Sequence, residues 1–391
     1  MIYLNQLGML CALGATPGAI AAAMFAGRSG LRQDMLYLPA MALPIGAVDA
    51  VLPGVDHLPL GERSRNNQLA LAALAQIRPA VDAAIALYGA DRVGVIVGTS
   101  TSGIAEGEAA LRQYDQDGSL PAHFHYRQQE LGSPAAALSL TLGLGGPAYT
   151  HSSACASSAK AMASAARLLN MGICDAVITG GIDTLCGFTL AGFAALESVS
   201  PTRCLPFSAN RNGINIGEGA ALFLMSRDEA TVALTGWGES SDAHHISAPD
   251  PSGRGATLAI QQALQRAGLK PDAIDYINLH GTATLQNDAM ESLVINALFG
   301  DRVAASSTKP LTGHALGAAS AVEAGLCWLA MQDSNPQGML PPHLWDGAPD
   351  AALPPLQLAA PQQTLGRPLR RVLSNSFAFG GINAALIFRR Q

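Results

Sequence analysis

Residues 151–162, HSSACASSAKAM, set one thiol, Cys155, among side chains that are almost all small. The following stretch, 156–170, is rich in Ala, Ser, Met and Leu and predicts a helix. A cysteine at a helix start faces unpaired N–H groups and the positive end of the dipole. This predicts a thiol lowered from about 8.5 toward neutrality. Small neighbours leave room for a thioester to reach the sulfur and leave backbone N–H groups bare for an oxyanion. Taken alone, the pattern equally fits a buried structural cysteine on an alanine-rich helix.

The other half of the chain changes that balance. HGTATLQND (280–288) puts His280 at the end of the apolar run DYINL, followed by glycine and small hydroxylated residues. SSTKPLTGHALGAASAVEAG (306–325) puts Lys309 and His314 five residues apart across a glycine-containing turn, with Glu323 on the helix beyond. NSFAFGGIN (375–383) offers a Gly-Gly turn whose exposed backbone is a source of a second oxyanion donor, although it is also an ordinary strand-to-strand turn. One thiol, two imidazoles and one ammonium are the parts of thioester acyl transfer.

The elements that must position these groups read as α/β. Short β-branched runs at 92–103, 175–181, 220–225, 275–284 and 370–388 have Gly-rich exits and predict buried strands. Helices are expected at Asn67–Ile77, Ala156–Asn170, Thr257–Ala267, Asp288–Leu298 and Ala318–Met331, with mostly loop from Pro336 to Pro368. SSACASSAKAMASAARLL and TGHALGAASAVEAGLCWLAM echo each other, one in each half, and related halves facing each other would bring the two helix starts together. A chain of 391 residues exceeds what one core usually supports, which predicts two packed halves. Composition is 49% hydrophobic and 13% charged, more apolar than an average soluble domain, so part of the surface is expected to be covered in an oligomer. A net charge of -6 and no basic block interleaved with aromatics argue against nucleic acid. No uninterrupted run of about 18 apolar residues occurs and the first residues carry no basic cluster, so no membrane span or signal peptide is expected and the chain reads as cytoplasmic. Cys11, Cys155, Cys174, Cys186, Cys204 and Cys327 form no CxxC or metal-ligand spacing, so most read as buried, unreactive thiols.

These motifs together carry a resemblance. With QLGMLCALG and FAGRSGL near the start and LPFSANRNGINIGEGAALFLM at 205–225, the order SSACASS, HGTAT, TKPLTGHALGAAS, SNSFAFGGIN resembles the beta-ketoacyl-[acyl-carrier-protein] synthases of the I/II type across nearly the whole length. The resemblance implies a thiolase fold: two duplicated βαβαβαββ halves, residues 1–230 and 231–391, in a five-layer α-β-α-β-α sandwich. It further implies a dimer, an acyl carrier protein as partner, and no metal or organic cofactor. Carried over by motif, Cys155 is the acyl-accepting nucleophile, His280 and His314 serve malonyl decarboxylation, and Lys309 supports the histidines. Glu323 is structural support, and Phe379 is the gate whose N–H joins that of Cys155 in the oxyanion hole. The resemblance places the acyl pocket at 99–108, with Thr101 lining it. A carrier protein is acidic, so Arg63, Arg65, Arg127 and Arg203 are candidates for its docking.

The chain also departs from the family pattern. Ala283 and Ala378 stand where glycines are usual, Ile382 where a threonine is, and Asn212 where an aspartate is common. An alanine before Phe379 is expected to restrict the gate. These changes and the small-residue pocket resemble synthases of aryl polyene or type II polyketide clusters, some of which pair with a homologous chain-length-factor subunit. The competing readings are a thiolase, which needs a second cysteine as base, and a catalytically weak, chain-length-factor-like partner subunit.

Overall fold

In the computed structural model, which describes residues 1–35, 37 and 41–391, the apolar runs become the strands of one large sheet. In chain order the elements are β1 (Ile2–Cys11), α1 (Pro17–Phe25), the ribbon β2 (Arg32–Asp34) and β3 (Leu43–Ile45), α2 (Arg65–Tyr88), β4 (Val93–Gly98), α3 (Ile104–Asp117), α4 (Ser133–Leu142), β5 (Ala148–His151), α5 (Ser157–Asn170), β6 (Ala176–Asp183), α6 (Gly187–Ala195) and β7 (Gly219–Ser226). The second half adds β8 (Val232–Ser241), α7 (Arg254–Ala267), β9 (Tyr276–Asn278), α8 (Leu285–Phe299), β10 (Ala304–Ser306), the single turn α9 (Lys309–Thr312), α10 (Ala319–Ala330), β11 (Gln357–Leu358), β12 (Arg371–Ala378) and β13 (Ile382–Arg390).

Strand pairing repeats. The first half orders β1-β7-β6-β4-β5 and the second β8-β13-β12-β9-β10, with β11 added at the far edge. In each half the first two pairings are antiparallel and the last two parallel. The halves meet where Ile2 and Tyr3 of β1 pair with Leu234 and Ala233 of β8, which makes the hydrogen bonding continuous through eleven strands.

Helices add the other layers. α2 and α4 cover the outer face of the first half, α7 the outer face of the second, and α5 and α10 lie together between the halves. One apolar core surrounds α5 and α10 at the centre, and one more lies beneath the outer helices of each half. The small residues of 151–166 let the central helix approach closely: a Cβ on Gly98 would lie 2.4 Å from the Ser158 nitrogen. Across that centre Ser320 Oγ donates to the Cys155 carbonyl at 2.8 Å, and Ala321 N–H donates to Ser158 Oγ at 2.9 Å.

Two elements differ from expectation. The helix expected at 67–77 runs on to Tyr88, through Pro79. Pro79 and Ala75, whose carbonyl loses its usual donor, both lie on the exposed face, open to solvent. This helix is long and apolar enough by composition to cross a membrane, yet it packs on β1 and β7. The run 370–388 is a hairpin, β12–β13, whose turn needs left-handed backbone at Gly380 and Gly381 (φ +80 and +74).

Candidate active site

The thiol, the two imidazoles, the lysine and Phe379 all sit at strand exits or helix starts, and the two halves bring them together. Cys155 precedes α5, His280 follows β9, Lys309 opens α9, His314 precedes α10, and Phe379 follows β12. Cys155, His280, His314, Phe193, Phe377 and Phe379 line one cleft. His314 Nε2 lies 2.9 Å from Cys155 Sγ, and the two imidazole rings are 5.4 Å apart, nearly perpendicular. The Phe379 backbone N–H points at the sulfur. Its ring packs against Phe193 at 5.4 Å.

Lys309 is buried beneath the histidines. Its ammonium donates to the His280 carbonyl and to Glu323 Oε1, and lies 3.4 Å from His280 Nδ1. An ammonium has only protons to offer, so Nδ1 accepts and the proton of neutral His280 is on Nε2. Burial, and after it the charge of Lys309, hold both histidines well below 6.5. They are neutral donors and acceptors at pH 7. The ligand atoms of Cys155, His280 and His314 lie within 4.8 Å of one another, a spacing that a soft metal could bridge. Locked by Lys309 with its proton on Nε2, His280 presents no free lone pair, so the cluster suits proton transfer.

One expectation is corrected. The Cys155 thiol is not lowered but pushed up to about 12, because burial outweighs the Lys309 charge and the Phe379 N–H that oppose it. The dipole of α5 counts for about half a charge and cannot offset full desolvation. The resting group is a thiol, and the acceptor for its proton is the nitrogen 2.9 Å away.

Thr101 does not line this cleft. It is wholly buried, and its hydroxyl donates to Asp183 Oδ1 at 2.8 Å. Three of the four candidate docking arginines are committed inside the chain. Arg65 pairs with buried Glu218 at 2.6 Å, Arg127 with buried Glu62 at 3.2 Å, and Arg63 donates to the carbonyls of Leu58 and Asp56. Arg203 is exposed and has no ion pair among the described residues. Ala378 has ordinary extended backbone (φ −96, ψ 154), so the gate's present position costs it nothing. All six cysteines are buried and unbridged.

Sequence reasoning missed the carboxylates that shape the site. Glu291 accepts the N–H groups of His280 and Gly281 at 2.8 and 2.7 Å, and Asp288 accepts those of Phe207 and Ala283. Burial raises them to about 7 and about 6. Their one-turn spacing just after HGTAT, at the start of a helix, was the available signal. Asp183, at the end of β6, gathers the loop 99–101 in the other half.

Comparison with known proteins agrees with this arrangement. Residues 48–230 match the family model "Beta-ketoacyl synthase, N-terminal domain", and 231–344 match "Beta-ketoacyl synthase, C-terminal domain". Nodulation protein E of Rhizobium meliloti (strain 1021) is 33% identical, over 100% of this chain and 99% of its own. The 3-oxoacyl-[acyl-carrier-protein] synthase 2 of Staphylococcus aureus (strain N315) is 32% identical over 86% of this chain and 84% of its own. Among solved structures, the ketosynthase ApeO, in complex with its chain length factor ApeC, from Xenorhabdus doucetiae has 48% identity and a TM-score of 0.93, covering 100% of this chain and 98% of that one. A beta-ketoacyl synthase from Burkholderia phymatum STM815 has 30% identity and a TM-score of 0.86, covering 100% and 99%.

Proposed function

The chain belongs to the beta-ketoacyl synthase family of condensing acyltransferases, and from that premise we propose how its residues divide the work. Cys155 is the acyl acceptor. As an acyl thioester enters from the carrier protein, His314 Nε2 takes the thiol proton while Sγ attacks the carbonyl carbon. The oxyanion forms against the N–H groups of Phe379 and Cys155. Such donors are worth on the order of 3 kcal/mol each when they meet charge only in the transition state. The tetrahedral intermediate expels the carrier thiolate, which takes the proton from His314, and the acyl group remains on Cys155.

Malonyl on the carrier protein then loses carbon dioxide. Its electron pair passes to the thioester oxygen as an enolate, which His280 stabilises through Nε2–H and His314 assists. Neutral imidazoles are required, since an imidazolium would protonate the carbanion. The carbanion attacks the acyl-Cys155 carbonyl, a C–C bond forms, the C–S bond breaks, and the released Cys155 thiolate takes from solvent the one proton that the overall reaction consumes. The product is a 3-oxoacyl thioester two carbons longer. Lys309 positions His280 and keeps the pair uncharged, with Glu323 as its counter-ion. Residues 1–230 thus supply the nucleophile and 231–391 the decarboxylating pair.

The observation that carries this reading is the 2.9 Å contact between a sulfur of the first half and an imidazole of the second, beside a histidine locked as an Nε2–H donor. A thiolase would need a second cysteine in the cleft, and Cys155 is the one among the described lining residues. The likeness to ApeO favours a type II polyketide or aryl polyene role, with a homologous chain-length-factor subunit as the dimer partner. β5 ends the sheet with Ala148 and Tyr149 exposed, an edge that such a subunit can pair with. The acidic carrier protein docks near Arg203, whose charge is free to meet it. We assign the enzyme to the cytoplasm, where six unbridged thiols persist.

Purified protein, alone and with a co-expressed homologous subunit, is mixed with acyl- and malonyl-loaded carrier protein. Release of carbon dioxide with a two-carbon extension, and an acyl mass on the peptide bearing Cys155, are expected. Extension without carbon dioxide release, or an acyl group on another cysteine, would overturn the assignment.

A further inference from the structure

The repeat in the fold pairs residues across the halves. Matching the starts of α5 and α10 sets Ala154 against Leu316, Cys155 against Gly317 and Ser158 against Ser320. The first pair share left-handed backbone, φ +46 and +48. β6 and β12 are eight residues each, so Asp183, the last of β6, is the mate of Ala378, beside Phe379. The mate of the sulfur-bearing cleft is therefore built around Gly317 and Asp183. Asp183 is wholly buried there. Its Oδ1 accepts from Thr99 Oγ1 (2.6 Å), Ser100 N (2.8 Å), Thr101 N (2.9 Å) and Thr101 Oγ1 (2.8 Å). Its Oδ2 accepts from Ser100 Oγ and from Gly317 N, both at 2.5 Å. A side chain at the mate of the cysteine must push its neighbours aside: a Cβ on Gly317 would lie 2.8 Å from Oδ2 and from the Ser100 nitrogen.

We propose that the Asp183 carboxylate plugs the internal duplicate of the catalytic cleft, and that its bond to the Gly317 N–H is the positioning contact that fixes His314 against Cys155. The inference rests on the reading of His314 as the thiol's proton acceptor. His314 Nδ1 is buried without a hydrogen-bond partner, so the ring takes its place from its backbone. Upstream, that backbone is held by His314 N–H to Asn215 O and Gly217 N–H to His314 O. Downstream, the turn closed by Ala318 N–H on Ala315 O is anchored by Gly317 on Asp183. His280 is held independently, by Lys309 and Glu291, so loss of Asp183 loosens one histidine and not the other.

Asp183→Asn is isosteric and selective. With its carbonyl where four donors converge, its NH2 faces the Gly317 N–H, donor against donor. Single-turnover acyl transfer to Cys155, followed by mass spectrometry, should slow about 10- to 100-fold, with KM for acyl carrier protein unchanged. Gly317→Ala should do the same, and the double variant should be no slower than the slower single one, because both break one contact. The Gly317 N–H also meets Ser100 Oγ at 3.2 Å, so Ser100→Ala removes that longer second acceptor and leaves the bond to Asp183, and it should stay within about threefold of wild type. Folding is verified by thermal unfolding, and if Asp183→Asn does not fold, Gly317→Ala alone carries the test under the same criteria. Loading at the wild-type rate in the folded variant, a changed KM in its place, or losses that multiply in the double variant would sink the proposal. His314→Ala separates the two layers. Fast loading there removes the proton-acceptor reading itself, whereas slow loading there with fast loading in Asp183→Asn removes only the positioning role.

Discussion

The loops that follow β4 and β9 are the same piece of structure put to two uses. Each leaves a strand paired in parallel on both sides, TSTSG (99–103) in one half and HGTAT (280–284) in the other. Each is gripped by a buried carboxylate that accepts two consecutive backbone N–H groups: Asp183 holds Ser100 and Thr101, and Glu291 holds His280 and Gly281. Each carries a non-glycine residue in left-handed backbone at its fourth position, Ser102 (φ +45) and Ala283 (φ +64). They differ in what the side chains do. In the first half the hydroxyls turn inward to Asp183 and the loop is closed. In the second the leading side chain is an imidazole that lines the cleft. On the proposed reading, the duplicated scaffold supplies rigidity twice and chemistry once, with the nucleophile taken from one copy and the proton-handling groups from the other.

The strongest way to break this comparison is to make the catalytic copy as inert as its mate. Cys155→Ala removes the reactive atom that Gly317 lacks, and condensation should fall by about a thousandfold or more, since Cys155 carries the one thiol among the described lining residues. Residual extension within tenfold of wild type, measured as 3-oxoacyl product, would mean that the halves do not divide the work in this way.

A smaller effect is expected from Lys309→Met, which leaves the thiol in place and removes the charge beneath the histidines. His280 loses the donor at Nδ1 and Glu323 its counter-ion, and decarboxylation should drop about 100-fold. The pH profile carries the sharper information. Lys309 is the second cause, after burial, of the depression of both histidines, so without it both rise toward 6.5. A depressed histidine stays neutral further into acid, and a raised one protonates sooner. The acid limb of the decarboxylation rate should therefore move to higher pH in the variant. An unmoved limb would show that burial alone keeps the pair neutral.

The comparison also explains what could be read from the chain alone. Cys155, His280, Lys309, His314 and Phe379 were legible because each is an unusual side chain inside a short glycine- or serine-rich motif, and motif order sufficed to bring them together. The echo between the segments around Cys155 and Gly317 was legible for the same reason. Asp183 and Glu291 were not, because their work is acceptance of backbone N–H groups from segments 83 and 10 residues away, which depends on β6 lying beside β4 and on α8 folding back under β9. The thiol's direction of shift was misread because a helix start is visible in sequence and the burial that outweighs it is not. Arginines read alike in sequence, and only the fold reveals that Arg63, Arg65 and Arg127 are already bonded within the chain.

The smallest expected effect tests whether the shared left-handed position is strain that both loops bear. Ala283 is wholly buried, with its N–H on Asp288 and its carbonyl accepting from Gly213, so its backbone is held at φ +64 from both sides. An L-residue with a Cβ costs about 1 kcal/mol there relative to glycine, whereas glycine costs a similar amount through the freedom it gains when unfolded. Ala283→Gly should therefore change thermal stability by only a few degrees and leave decarboxylation within about threefold, because Glu291 and Lys309 still hold His280. Ser102→Gly adds a loss that Ala283→Gly does not have: Ser102 Oγ donates to the carbonyl of Glu130 at 2.9 Å, so its removal should lower the melting temperature more than the first. Equal shifts from the two variants would mean that the αL backbone alone sets the stability of both loops. A large loss of decarboxylation in Ala283→Gly would mean instead that the strained alanine, and not the carboxylate clamp, aims His280.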